Sequence, residues 1–175
     1  MAEDIQSPDG LSVIGWRAWR VEFDCGVPIL HSMGFEFAWP AREPAVAECL
    51  TCGDETPRQK CSCGLYSASS YGRLLSMGYP LHDVDRELLV VGQVESWGRV
   101  VRGFGRSQHG PGPTLGWRAQ FGYPKRMFVL HESWELVVPL REAYGQPVLM
   151  RDLFADEGRE DTTKPTQLDE EWNDR

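Results

Sequence analysis

Glu87 to Gly105 reads ELLVVGQVESWGRVVRGFG, and no other segment of the chain states its secondary structure so plainly. Leu88 to Val94 is an aliphatic, largely β-branched run of strand length, which predicts a buried strand. Trp97-Gly98 predicts a bend, and Val100 and Val101 open a second strand. Beyond it, GFGRSQHGPGPTLG at 103–116 holds five glycines and two prolines, the composition of a long loop or a wide hairpin connection. Trp117, Ala119, Phe121 and Tyr123 then alternate with Arg118, Gln120 and Gly122, the period-2 signature of a half-buried strand. MFVLH at 127–131 reads as a further strand.

On the N-terminal side, LSVIGWRAWRVEF (11–23) has the β-branched and aromatic content of a strand. Cys25-Gly26-Val27-Pro28 reads as a turn and ILHSM as the return strand of a first hairpin. Helical signals are few. Ser67 to Met77 predicts one short helix, with Ser69 or Ser70 as N-cap and Gly78 as its end. Pro139 to Tyr144, closed by Gly145, predicts another, and PVLMRDLF at 147–154 a final strand or helical turn. The expected fold is mainly β with a minor α component. It is a small bent sheet or SH3-like barrel, with one or two short helices over an open end.

A chain of 175 residues is one domain's worth of sequence, and seven Trp, seven Phe and five Tyr supply bulky core material. The expected organisation is a flexible N-terminus at 1–10, a single β-rich domain at 11–155 and an acidic disordered tail at 156–175. That tail carries eight acids against three bases, so it holds five units of the formal net charge of −8. A domain gripping nucleic acid through phosphates wants a basic face, and this balance argues against such a partner unless dispersed arginines converge. No apolar run reaches the roughly 20 residues of a membrane span. MAEDIQSPDG has neither the basic start nor the apolar stretch of a secretory signal, so the cytoplasm is the expected location and no membrane partner is expected.

The chemically specific segment is AECLTCGDETPRQKCSCG at 47–64. It spaces Cys49-x2-Cys52 and Cys61-x-Cys63 eight residues apart, and both halves end in Cys-Gly, as zinc knuckles often do. Four thiolates complete a tetrahedral Zn²⁺ site with Zn–S near ~2.3 Å, which places sulfurs roughly 3.7 Å apart. Residues two apart in an extended strand lie ~6.5 Å apart, so the backbone around Ser62 must curl. If Cys61 or Cys63 stands aside, Asp54, His31 or His82 completes the set. Structural zinc is the expected cofactor. Disulfides would suit a secreted chain, and a thiol redox site or zinc switch is the remaining alternative. A catalytic zinc needs an open position and a nearby base. Ala47-Glu48-Cys49 offers the acid without the preceding His of zinc deaminases. Cys25 reads as a small buried residue.

Gly-Trp-Arg-Ala occurs twice, at 15–18 and 116–119, with flanks too different to indicate duplication. The architectural reading gives Gly to a close neighbour, Trp to the core, Arg to solvent and Ala to the space under a second ring. Two such strands side by side would close a barrel. The sharper reading makes Arg17 and Arg118 a paired, anion-facing patch beside exposed Trp19, with Trp16 and Trp117 in the same strands as candidate binding residues. His109 beside Ser107 lacks an orienting carboxylate in sequence, and His131-Glu132 reads as a solvated pair, so no catalytic residues are assigned.

GWRAWR, Trp39-Pro40, Cys49, Pro57 before CSCGLYS, VVGQVESWGRVV and GWRAQFGYP together resemble a group of small uncharacterised actinobacterial and actinophage proteins. The resemblance spans about residues 15–145. Members often carry a His three residues before the Pro; Asp54 holds that position here, and Cys52 lies two residues earlier. The resemblance implies a metal knuckle in a β fold and no particular activity. The expected function is a non-enzymatic, zinc-stabilised adaptor or inhibitor, in its phage-encoded form acting on a host protein. The alternatives are a nucleic-acid-associated module stacking bases on Trp19 or Trp97, and an enzyme of unrecognised type.

Overall fold

A computed structural model describes residues 12–33, 35–76, 86–103 and 116–152. The expectations placed on 1–10, on the 104–115 loop, on Met77-Gly78, on His82 and on 156–175 lie outside these residues. Strand β1 (Val13–Asp24) turns at Cys25-Gly26 into β2 (Val27–Ser32), pairing from Asp24↔Val27 to Trp19↔Ser32. Both turn residues have positive φ, 48° and 83°, the two-residue connection whose twist suits antiparallel strands. Cys25 is therefore exposed at a hairpin tip, not buried as its residue type suggested.

β3 (Ala38–Trp39) extends β2, and β4 (Ala45–Val46) and β5 (Leu65–Ala68) flank the cysteine segment. The long hairpin of β6 (Leu89–Arg102) and β7 (Gly116–Val129) follows α1 (Tyr71–Ser76). β6 is one strand and not two. The bend expected at Trp97-Gly98 is a bulge: the register slips between Trp97 and Val100, and the ladder resumes at Val100↔Ala119. A bulge bends a strand without ending it. MFVLH starts no new strand either, since Met127 to Val129 continue β7. A 3₁₀ turn at His131–Leu136 leads into α2 (Val137–Tyr144), which ends at Gly145, and β8 (Val148–Met150) lies parallel to β7.

β7 is the spine. β6 takes one of its edges, while β5, β4 and β8 line up along the other. β5 also meets β1 at Trp16↔Ala68, and β1 pairs with β6, so the hydrogen-bonded pairing runs β1–β6–β7–β5 and returns to β1. The result is a mainly β, bent mixed sheet with ring-like pairing, and the cysteine segment is inserted between the first hairpin and the long one. The two GWRA stretches do not lie side by side as expected. Trp16 and Gly116 both pair with Ala68, from opposite sides of β5.

Both faces of this sheet are covered. Trp19 and Val21 point into a core with Trp39, Val94 and Tyr123, closed by Leu140 and Tyr144 of α2. Trp16 and Ala18, on the alternate face, pack with Val91 and Phe128 under Tyr71 and Leu74 of α1. Burial is thus continuous from Gly15 to Trp19. α1 starts later than expected because β5 takes Leu65 to Ala68; the Ser70 Oγ cap accepts the Arg73 N–H at 3.2 Å. Tyr144 Oη donates to Trp39 O at 2.7 Å and accepts the Leu30 N–H at 2.8 Å. Tyr123 Oη donates to Tyr144 O at 2.8 Å and accepts the Arg42 N–H at 2.9 Å. These bonds tie down the irregular path from Trp39 towards the cysteines, where strands are only two residues long.

Candidate metal centre

Both ends of the cysteine segment are stitched to β7. Ala45 and Val46 pair with Gly122 and Phe121, the Ala47 N–H donates to Gln120 O at 2.8 Å, and Leu65 pairs with Ala119. Between these anchors the chain folds back on itself. The Gly53 N–H donates to Cys49 O, a 3₁₀ turn covers Gly53–Glu55, and Thr56 Oγ1 donates to Gly53 O. The two Cys-Gly glycines take positive φ, 55° at Gly53 and 116° at Gly64. At Gly64 an added Cβ would stand 3.0 Å from the Cβ atoms of Arg118 and Pro57. The paired glycines that suggested a knuckle are there for backbone reasons.

The Sγ atoms of Cys49, Cys52, Cys61 and Cys63 all lie within 4.8 Å of one another. Cys49 and Cys61 sulfurs are 3.9 Å apart, and those of Cys52 and Cys63 are 3.5 Å apart. Such separations bracket the roughly 3.7 Å edge of a tetrahedral four-thiolate site and exceed the ~2.05 Å of a disulfide. All five cysteines are free. The group can hold a metal ion. Asp54 is exposed and outside it, and His31 lies instead beside Glu22, so neither is needed to complete the set.

Backbone amides already face the sulfurs. The Cys52 N–H, seconded by that of Thr51, points at Cys49 and brings its thiol down to about 6. The Cys63 N–H does the same for Cys61, which is also lowered. Burial raises Cys52 and pushes Cys63 up to about 12, against a smaller lowering by the Arg58 N–H. Each Cys pair therefore combines one thiol poised to ionise with one held back by its surroundings. A bound cation would overcome the second tendency, because metal ligation deprotonates the thiol.

The expected surface patch is corrected by burial. Trp19 and Arg118 are 0% exposed, and Trp16 and Arg17 are each 7% exposed; only Trp117, half-buried, keeps a partial surface. Trp97 is also buried, so neither Trp19 nor Trp97 offers a face for a base to stack on. The alternation in each strand is real, but both faces of the sheet are occupied, and the face assigned to solvent is an interior. Arg17 lies over the Trp39 ring at 4.9 Å, donates to Ser32 Oγ at 2.7 Å and also donates to Tyr66 O. Arg118 donates from Nη1 to Cys61 O at 2.5 Å and Cys63 O at 2.8 Å, and from Nε to Gly103 O at 3.1 Å. The repeated GWRA is thus a pair of buried clamps on residues 58–66. Sequence reading missed this second role; its signal was an arginine set between Trp and Ala, two residue types that suit a core, inside a strand-forming run.

No protein-family model, curated protein or solved structure matches the chain.

Proposed function

We propose that Cys49, Cys52, Cys61 and Cys63 bind one structural Zn²⁺, and that the chain is a non-enzymatic, zinc-stabilised module that binds another protein as an adaptor or inhibitor. The convergence of four sulfurs within 4.8 Å carries this reading. An all-sulfur tetrahedral set suits zinc, which such a site binds more tightly than iron(II). Four thiolates also fill the coordination sphere, leaving no position for a substrate, the pattern of a structural site. Support for a protein partner comes from large apolar side chains left in solvent. Leu50 at the knuckle tip is fully exposed, Phe35 is 76% exposed, and Trp134 and Val138 stand four residues apart on one side of the 3₁₀–α2 segment.

Metal analysis of the purified chain should give about one equivalent of zinc, and Cys61→Ser should lower both zinc content and melting temperature. Metal-free protein that is fully folded and insensitive to this substitution would remove the basis of the reading. For the partner, the test is a stoichiometric complex recovered from bacterial lysate that Leu50→Ser with Trp134→Ser abolishes. Salt-dependent retention on nucleic acid, unaffected by those substitutions, would point to the other class of partner.

A further inference from the structure

Arg118 is fully buried, and its fork is spent on main-chain oxygens. Nη1 donates to both Cys61 O and Cys63 O, longer contacts of 3.4 Å reach Arg58 O and Gln59 O, and Nε holds Gly103 O. No carboxylate pairs with it among the described residues. A buried guanidinium stays charged, and a buried charge ordinarily has a counter-charge. The anionic group at hand is the cysteine cluster, because four thiolates on a divalent cation leave a net charge of −2. Geometry agrees. Carbonyls two residues apart in an extended strand are separated by the ~6.5 Å repeat, yet those of Cys61 and Cys63 converge on one nitrogen. The curl at Ser62 that brings the two sulfurs together is the curl these two bonds bridge, alongside the Tyr66 Oη donation to Ser62 O.

We propose that Arg118 is the positioning residue of the metal centre: it bends the Cys61-Ser62-Cys63 backbone into ligating shape and balances the charge of the metal–thiolate cluster. Metal affinity therefore depends on a strand residue that touches no metal. This rests on the zinc reading above. Arg17 supplies the matched control, since it is nearly as buried in the same sequence context but holds Tyr66 O and Ser32 Oγ.

The experiment measures Zn²⁺ affinity by chelator competition and the Co²⁺ absorption spectrum, on the full chain as wild type, Arg118→Lys and Arg17→Lys, with folding followed by circular dichroism. Arg118→Lys keeps the charge and loses the fork, and should weaken Zn²⁺ binding about 10- to 100-fold, the usual effect of losing a group that orients metal ligands. Its Co²⁺ spectrum should shift from that of the wild type. Arg17→Lys should melt at lower temperature and weaken Zn²⁺ binding far less than Arg118→Lys, since Arg17 reaches the segment only through Tyr66. Unchanged affinity in Arg118→Lys, or an equal loss in Arg17→Lys, would overturn the proposal while leaving the zinc site standing. A wild type that takes up no metal would sink both. Should Arg118→Lys fail to fold, the guanidinium proton resonances of Arg118 in the wild type decide. Slow exchange with zinc and broadening on chelation support the coupling, and indifference to chelation refutes it.

Discussion

An arginine in the middle of a strand is read as a surface residue, and at Arg17 and Arg118 the surface is missing. Each guanidinium instead satisfies main-chain carbonyls, Arg17 that of Tyr66 in β5 and Arg118 those of Cys61 and Cys63, and the second set holds a segment as polar as 49–64 against the sheet. The cysteines show the same dependence on neighbours. Four identical side chains acquire different proton affinities because amides face Cys49 and Cys61 while burial weighs on Cys52 and Cys63. Metal-stripped, reduced protein treated with limiting iodoacetamide at pH 7 should therefore be modified first at Cys49 and Cys61 and last at Cys63. Lowering the pH through about 6 protonates Cys49 and should slow its labelling, whereas raising it above 9 should narrow the contrast with the others. Peptide mapping reads the order; uniform labelling would mean that the amides do not hold this geometry without an ion.

Among the elements, the first hairpin follows from local chemistry and the helices from what the strands leave over. Gly26 supplies one of the two positive-φ positions that a two-residue hairpin turn needs, and Gly145 stops α2 as Gly stops helices generally. Whether Gly98 marks a turn or a bulge is not local, because both need positive φ; it is β7, running unbroken alongside, that keeps β6 a single strand. α2 matters chiefly through Tyr144. Burial pushes that hydroxyl up to about 12, so it remains a donor to Trp39 O while accepting from Leu30 N. Tyr144→Phe should leave both backbone groups without a partner at a cost of about 1–3 kcal/mol. In a domain of this size that lowers the melting temperature by several degrees, about 2–4 °C per kcal/mol. A thermal melt unchanged by the substitution would show that the hydroxyl is not what docks α2 on β2 and β3.

For the whole molecule, the knuckle is a polar insertion hung from β7 at both ends, and the ring of strands has its own apolar core on each face. A ligand that binds only the folded state stabilises it by about 2.7 kcal/mol at a hundred times its dissociation constant. Chelation should accordingly lower the melting temperature. Hydrogen exchange should show residues 49–63 losing protection first and the β6–β7 ladder keeping it. Loss of protection everywhere at once would mean that the ion closes the ring itself and not the knuckle alone.

By itself the amino-acid order determined the β class, the first hairpin, the end of α2 and the four cysteines as a group able to hold a metal. These depend on side-chain period, turn chemistry and short spacings, all carried within a dozen or so residues. The tertiary structure alone decided that β5 stands between the two GWRA strands, that β6 bulges without breaking, and that the arginines lie inside. Alternation along a strand distinguishes two faces but does not say whether a second layer covers the outer one. In the same way, the curl that brings Cys61 and Cys63 together is bridged by a guanidinium 55 residues beyond Cys63 in the chain, a distance at which no local pattern can register it.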